Sequence, residues 1–289
     1  MLLHAFYAIS CALVWAGTNI AGKLLPSELS ALTFAFIRYT IAVLCFLPFL
    51  QASEYKNITR RMVPSLIFLG LTAVFIYNIF FYNALHLASV TSVSLLSVTN
   101  PIMTLIGSAI IARRIPTKYQ LIAVMLSFAG AAMIITQGKT GLDVFSGSLG
   151  ELLALAAVIS YVCYTLMLKK ISPHFSPVFL SFATSVSGLL LLAPFVINYD
   201  LITTLTTLTR YEWGLFMYLG CIGTALGLML YTLSIRRRGA ELTSLITFST
   251  MPFFVCILSA FIFGEQMSVW QMTGGAFVLA GLFVGVKKG

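Results

Sequence analysis

Ten apolar stretches of about 20 residues each, separated by short polar connections, occupy most of this 289-residue sequence. An α-helix rises about 1.5 Å per residue, so a stretch of this length spans the roughly 30 Å hydrocarbon core of a bilayer. Short strands of alternating polarity, the pattern of a membrane barrel, do not occur in the sequence. The predicted helices cover residues 3–22, 30–50, 63–85, 89–112, 118–136, 147–168, 177–197, 212–235, 240–263 and 269–286. The sequence therefore predicts an all-α polytopic membrane protein with ten transmembrane helices.

The charged residues support this prediction and indicate an orientation. Only 9% of residues are charged and 60% are apolar, whereas about a quarter are charged in soluble domains. The net charge of +9 comes from short clusters between the apolar stretches, and a nucleic-acid-binding domain would instead gather its cations on one exposed face. With the N-terminus in the cytoplasm, thirteen basic residues fall on the cytoplasmic side and three, Lys23, Lys139 and Arg210, on the other. Because cytoplasmic loops are rich in Lys and Arg, we expect a multi-pass protein of the bacterial cytoplasmic (inner) membrane with both termini in the cytoplasm.

The two halves of the chain resemble each other. A shift of 146 positions aligns Trp15 with Tyr161, and a shift of 151 positions aligns Pro101 with Pro252. Each half contains five predicted helices, and an odd number makes the second half enter the membrane from the opposite side. We therefore predict two inverted five-helix repeats, residues 1–140 and 141–289. Secondary transporters built this way bind their substrate near the midplane, between the repeats.

Longer stretches resemble a known family over essentially the whole chain. They are "FAFIRYTIA" in helix 2, "ALHLASVTSVSLLSVTNPIMTLIGSAI" across helices 3 and 4, and "GAELTSLITFSTMPFFVCILSAFIFGEQMSVWQMTGGAFVLAGLFVG" across helices 9 and 10. The sequence resembles the drug/metabolite transporter superfamily, specifically its EamA-like ten-helix members. The resemblance implies two five-helix repeats and the export or exchange of amino acids, nucleotide-related metabolites or drugs. The family's Gly-Glu pair is present as Gly264 and Glu265, whereas the first repeat has Arg113 and Arg114 there.

Helices 1 and 6 carry matching faces of aromatic and polar residues. Trp15 and Asn19 share one face of helix 1, and the 146-residue shift carries this face onto Tyr161, Tyr164 and Thr165. An aromatic ring beside polar groups can stack on the apolar body of a ligand while its neighbours bind the polar ends. We interpret these five residues as substrate-binding candidates, with core packing or an interfacial position as the alternative for each aromatic residue.

Helices 3 and 8 contribute three further binding candidates. These are Asn78, Tyr82 and Tyr231. An amide left unpaired in lipid costs several kcal/mol, so we expect Asn78, like Asn19, to bind a ligand or another helix.

Helices 4 and 9 each contain a proline after a run of hydroxyl side chains. Pro101 follows Ser97, and Pro252 follows Thr247. Proline lacks the N–H that a carbonyl four residues earlier would accept, which favours a kink. We predict cavity-lining hinges at both prolines, with Ser97 and Thr247 as substrate contacts. The alternative is close helix packing by small residues.

Arg38 lies within the apolar stretch of helix 2. A charge at the bilayer centre costs about 2.5–3.5 kcal/mol on insertion scales, so it requires a polar partner or a wet cavity. Candidate partners are Glu151, an exposed carbonyl, or a carboxylate or phosphate of the substrate. We favour a structural contact, and we assign Glu241 to the positive end of helix 9.

Features of catalytic and metal sites are missing from the sequence. The histidines lie at helix ends or in connections, and the five cysteines lie singly within apolar stretches, typical of core residues. No catalytic residue, metal site, disulfide or cofactor is predicted, and an enzyme is not expected. Helix 1 contains no Asp or Glu, which argues against export of organic cations through a first-helix glutamate, as in the small four-helix relatives.

These features favour a secondary transporter that works by alternating access. We expect it to export a small amphipathic metabolite, an amino acid or derivative before others. The alternative is an exporter of lipophilic drugs, and a channel is disfavoured because no ring of charges or filter-like loop is visible. The expected partners are the small-molecule substrate and the lipid bilayer, for a chain that acts as a monomer or as an oligomer.

Overall fold

The protein is built from helices. The structure, a computed structural model, describes residues 2–25, 30–56, 58–88, 90–138, 149–196, 199–264 and 268–288, and no strand occurs in these ranges. The helices are α1 (Leu2–Lys23), α2 (Ala31–Phe46), α3 (Ala52–Lys56), α4 (Val63–Leu87), α5 (Val90–Ser97), α6 (Asn100–Ile111), α7 (Lys118–Thr136), α8 (Leu149–Ile171), α9 (Pro177–Val196), α10 (Tyr199–Thr207), α11 (Arg210–Arg238), α12 (Ala240–Phe263) and α13 (Val269–Lys288).

The membrane character of the chain agrees with the prediction. In the described ranges, nine helical spans are long and apolar enough to cross a bilayer, and α13 contains a shorter apolar stretch, Val269–Gly285. An all-α polytopic membrane protein is thereby confirmed. Two short helices, α3 and α10, lie where none was predicted. The predicted helix 4 is divided into α5 and α6, because Pro101 is suited to the first turn of a new helix and not to the interior of a continuous one.

Two spans contain a π-helical segment that the sequence did not predict. These segments are Leu71–Ile76 in α4 and Tyr218–Leu226 in α11. They fall at corresponding positions of the two halves. A wider turn leaves carbonyls without their usual donors, and the Ser160 hydroxyl on α8 donates to one of them, the Thr72 carbonyl, at 2.7 Å. Such segments are frequent at functional sites.

The most extensive helix contacts join the first half of the chain to the second. They include α7 with α13, α1 with α12, and α4 with α8. The pair α7 and α13 approaches closely because it meets at glycines: a Cβ built on Gly130 would lie 2.5 Å from the Gly274 carbonyl oxygen. Small residues at a crossing let membrane helices pack with their backbones in contact.

The cysteines differ from the prediction at one pair. Cys45 of α2 and Cys221 of α11 form a disulfide, with Cα atoms 5.9 Å apart. The expectation that all five cysteines are simple core residues is therefore wrong for this pair. The two are 176 residues apart in sequence, and only the packing of α2 against α11 brings them together. Cys11 and Cys163 are free thiols.

We predict that Gly130→Ala destabilises the protein by about 1–3 kcal/mol, because the new methyl group has no space between α7 and α13. Gly214→Ala is the matched control: a Cβ there meets nothing within 4 Å, and replacing a helical glycine by alanine is favourable by about 0.5–1 kcal/mol. Thermal unfolding of both variants in detergent tests this. Equal unfolding temperatures for the two variants would contradict the prediction, since they would show that α7 and α13 can move apart to admit a methyl group without loss of stability.

Candidate functional site

A cavity of about 600 Å³ lies between the two halves of the chain. Its wall is formed by residues from α1, α2, α4, α5, α7, α8, α11 and α12 and from the break after α5. We call the side that carries Arg113, Lys169 and Arg236 the basic side. Every wall residue lies at least seven residues from the end of its membrane span on that side. The cavity therefore occupies the middle of the protein and the half away from the basic side.

Most of the residues that the sequence predicted for binding, together with one predicted hinge, meet in this cavity. The wall includes Trp15, Asn19, Arg38, Asn78, Tyr82, Ser97, Tyr161 and Pro252. They come from both halves of the chain, as expected for a site between repeats. Helical spacing explains the agreement, since Trp15 with Asn19 and Asn78 with Tyr82 are each four residues apart and share one helix face.

Four other predicted residues lie behind this wall. Tyr164, Thr165, Tyr231 and Thr247 have no exposed surface. The Thr165 and Tyr231 hydroxyl oxygens are 2.9 Å apart, and the Thr247 hydroxyl donates across to the Ala8 carbonyl at 3.4 Å. The fifth residue outside the wall, the predicted hinge Pro101, is buried at the start of α6. The sequence pattern did not distinguish residues that line the cavity from those that pack beneath it.

The buried layer fixes the position of Trp15. The Trp15 ring lies 5.3 Å from the Tyr231 ring and 6.2 Å from the Tyr161 ring, measured between centroids. The ring also rests on α11 at Gly227, where a Cβ would come within 2.5 Å of the indole nitrogen. A rigid aromatic surface of this kind offers contact area without a large loss of side-chain entropy.

Several aromatic wall residues were not predicted. Tyr39, Tyr77, Phe81 and Phe248 all line the cavity. Tyr77 and Phe81 stack with their centroids 5.4 Å apart, and each directly precedes a predicted residue on α4, so a wider face would have included them. The wall contains no group of His, Cys, Asp or Glu able to hold a metal, and none occurs elsewhere in the ranges that the structure describes.

Arg38 points its charge at this cavity without an ionic partner from the described chain. Its guanidinium carbon lies 5.4 Å from the Phe34 ring centre and 5.0 Å from the Tyr39 ring centre. Its Nε is buried and has no hydrogen-bond partner. No carboxylate of a described residue lies within ion-pair distance of the guanidinium, so Glu151, one of the candidate partners, forms no ion pair with it. The Tyr161 hydroxyl in the same wall is likewise buried without a hydrogen-bond partner.

The side-chain carboxylate of Glu241 joins neighbouring helices on the basic side. Glu241, in the first turn of α12, forms ion pairs with Arg114 at 2.7 Å and with Lys169 at 3.2 Å. It also accepts a hydrogen bond from the Ser108 hydroxyl of α6. The assignment of Glu241 to the end of its own helix was incomplete, because the carboxylate joins α6, α8 and α12.

Buried hydroxyl and amide groups extend this closure toward the cavity. Ser244 of α12 donates to the Asn100 side-chain oxygen at 2.7 Å, and Thr104 donates to the same oxygen at 3.2 Å. The Ser234 and Thr243 hydroxyls are 2.9 Å apart. The basic side is thus held by polar contacts between helices, while the opposite half contains the cavity. Glu265, the other half of the family's Gly-Glu pair, lies outside the described residues.

The family of this chain follows from its similarity to a known protein-family model. The model of the EamA-like transporter family matches residues 2–136 and, a second time, residues 148–286. The chain belongs to the EamA-like transporter family. The resemblance seen in the sequence to the drug/metabolite transporters is thereby confirmed.

Two bacterial transporters are similar to this chain over most of their length. The uncharacterized transporter YetK of Bacillus subtilis is 27% identical over 99% of this chain and 88% of its own. The uncharacterized transporter YyaM of the same organism is 25% identical, over 90% of this chain and 84% of its own. A crystal structure of a protein with 14% sequence identity superposes with a TM-score of 0.78 over 99% of each chain. At that identity the superposition shows the common fold alone.

We predict that Glu241→Gln loosens the basic side, since the neutral amide no longer attracts Arg114 and Lys169. The reporter is Cys11, which is fully buried in the core, in a protein whose other cysteines are replaced by alanine. Its alkylation by a small thiol reagent should become roughly fivefold to tenfold faster, as expected from losing about 1 kcal/mol of ion pairing.

Glu212→Gln is the matched control for this prediction. Glu212 forms a capping box with Thr209 at the start of α11, and glutamine preserves that motif. Equal alkylation rates in the two variants would contradict a role for Glu241 in closing the basic side.

Proposed function

We propose that this EamA-like protein is a secondary transporter that exports a small amphipathic metabolite, an amino acid or derivative, across the bacterial inner membrane. The observation that carries the proposal is the cavity itself, which lies between the two halves and is separated from the basic side by polar contacts. A carrier needs a binding site that is open to one side while the other side is closed. With both termini in the cytoplasm, as the distribution of basic residues favours, we infer that the cavity faces outward.

The composition of the wall supports an amphipathic substrate. Aromatic rings from both halves, among them Trp15, Tyr161 and Phe248, provide an apolar surface. Asn19 and Asn78 provide amide groups, and Asn78 already donates to the Val74 carbonyl, so its side-chain oxygen remains to accept. Pockets that combine an apolar surface with a few placed polar groups bind small organic molecules.

Alternating access supplies the proposed mechanism. After the substrate is released on the cavity side, the protein would close on that side and open on the basic side. Opening the basic side would require the Glu241 ion pairs and the Asn100 hydrogen bonds to separate. Pro252 and both π-helical segments lie in helices that border the cavity, and Pro101 begins the helix that follows the break in the cavity wall. They are proposed as the positions where those helices bend.

The first test is a ligand screen by thermal unfolding of the purified protein, using amino acids, N-acylated amino acids, nucleosides and lipophilic cations. A ligand at a hundred times its Kd stabilises the folded protein by about 2.7 kcal/mol. Stabilisation by amino acids or their derivatives supports the proposed substrate class. Stabilisation by lipophilic compounds alone would support the drug exporter instead.

With a ligand identified, we predict that the double variant Trp15→Ala and Tyr161→Ala reduces uptake into proteoliposomes by at least about tenfold at low substrate concentration. Removing two buried aromatic contacts of about 1 kcal/mol or more each accounts for that loss. Tyr211→Ala, at a 62% exposed position, is the control and should transport normally. Unchanged uptake in a folded double variant would remove this wall from the substrate pathway.

A further inference from the structure

We propose that the cavity selects organic anions, and that a carboxylate or phosphate group of the ligand binds the Arg38 guanidinium. The inference rests on the proposed transport function and adds to it the net charge of the substrate. It makes Arg38 a binding residue, and not the structural residue that its sequence context favours.

The first step of the argument is that Arg38 has no counter-charge within the described chain. Its Nε is buried without a hydrogen-bond partner. The ion pairs on the basic side belong to Glu241 and involve Arg114 and Lys169, not Arg38. A cation inside a membrane protein pairs with another group or faces a site of function, and for Arg38 the available space is the cavity that it lines.

The second step concerns which part of the guanidinium remains available. Rings of Phe34 and Tyr39 lie against the guanidinium, 5.4 Å and 5.0 Å from its central carbon. These contacts hold the guanidinium by cation–π attraction, and the Tyr39 hydroxyl is also its hydrogen-bond neighbour, whereas the Nε donor has no hydrogen-bond partner among the described residues. Tyr77 and Tyr82 are electrostatic neighbours of the charge and supply hydroxyl groups beside it. An arginine held in this way presents the donor geometry that matches a carboxylate or phosphate.

The third step is the missing acidic group. Among the residues that the structure describes, the wall includes no Asp or Glu, so this part of the cavity offers a cation to an anionic ligand and no carboxylate to an ammonium group. An α-amino acid with a free ammonium would leave that charge with only aromatic rings as partners. An N-acylated amino acid, or another organic acid with an apolar body, matches the wall at both ends.

Compounds that share one apolar group and differ in charge test this inference. N-acetylphenylalanine is an anion, its carboxamide is neutral, phenylalanine is a zwitterion and phenethylamine is a cation. Affinities from thermal unfolding should be highest for the anion, about tenfold or more above the neutral amide, as expected for one charge-assisted contact. Phenyl phosphate distinguishes preference for a phosphate from preference for a carboxylate.

Variants of Arg38 separate binding from folding. In Arg38→Gln the preference for the anion over the neutral amide should disappear, while the neutral amide binds within about twofold of its original affinity. Arg38→Lys keeps the charge but loses the two-pronged geometry, so it should retain part of the preference, and it replaces Arg38→Gln if the latter does not fold. Lys170→Gln, at an exposed position on the basic side, should leave the preference unchanged.

Three results would overturn the inference: a neutral or cationic probe that binds as tightly as the anion, an anion preference that survives in Arg38→Gln, or no binding of either anion. Uptake by proteoliposomes then separates the two proposals. Transport of a zwitterion or cation with no anion preference would leave the transporter proposal standing and remove the anion site. Arg38-dependent binding of an anion that is never translocated would leave the anion site standing and remove the transporter proposal.

Discussion

The absence of water in a bilayer is the constraint on which the rest of this structure depends. Every polar group inside the membrane must find a partner within the protein. Most hydroxyl side chains here do so locally: Thr72, Thr184 and Thr250 each donate to the carbonyl four residues earlier, at 2.6 to 2.8 Å. The groups that lack a partner then become informative. Among the described groups that are buried without one, the Nε of Arg38 and the hydroxyl of Tyr161 belong to the cavity wall, whereas the hydroxyls of Ser127 and Tyr164 lie outside it.

The same constraint explains why the two sides of the protein differ. On the basic side, the polar groups satisfy one another between helices, through Glu241 with Arg114 and Lys169 and through Asn100 with Ser244. On the cavity side, the buried Nε of Arg38 has no hydrogen-bond partner within the described part of the chain. Opening the basic side and closing the cavity side would break the polar contacts on the basic side and form others on the cavity side. An exchange of that kind needs no unfolding of the helices.

The sequence predicted the parts of this structure that depend on composition and period. Apolar length located the spans, and four-residue spacing placed Trp15 with Asn19 and Asn78 with Tyr82 on faces that do line the cavity. It did not predict features that depend on packing between distant segments. The disulfide of Cys45 with Cys221, the burial of Tyr164 beneath Tyr161, and the Glu241 ion pairs all join residues whose proximity has no local signal. The π-helical segments were missed because their residues are ordinary helix formers in lipid.

The two halves of the chain differ at one position beside the cavity, and this difference would orient a bound ligand. The 146-residue shift carries Arg38 onto Thr184, which is fully buried and donates to the Leu180 carbonyl at 2.8 Å. One half therefore presents a charge at this position, and the other half presents a residue that needs nothing from a ligand. Trp15 and Tyr161, by contrast, remain aromatic in both halves. A ligand between the repeats would be held by rings on both sides but could place an anionic group in only one orientation, toward α2. The departure from symmetry at a single residue is sufficient to orient an amphipathic molecule in an otherwise paired site.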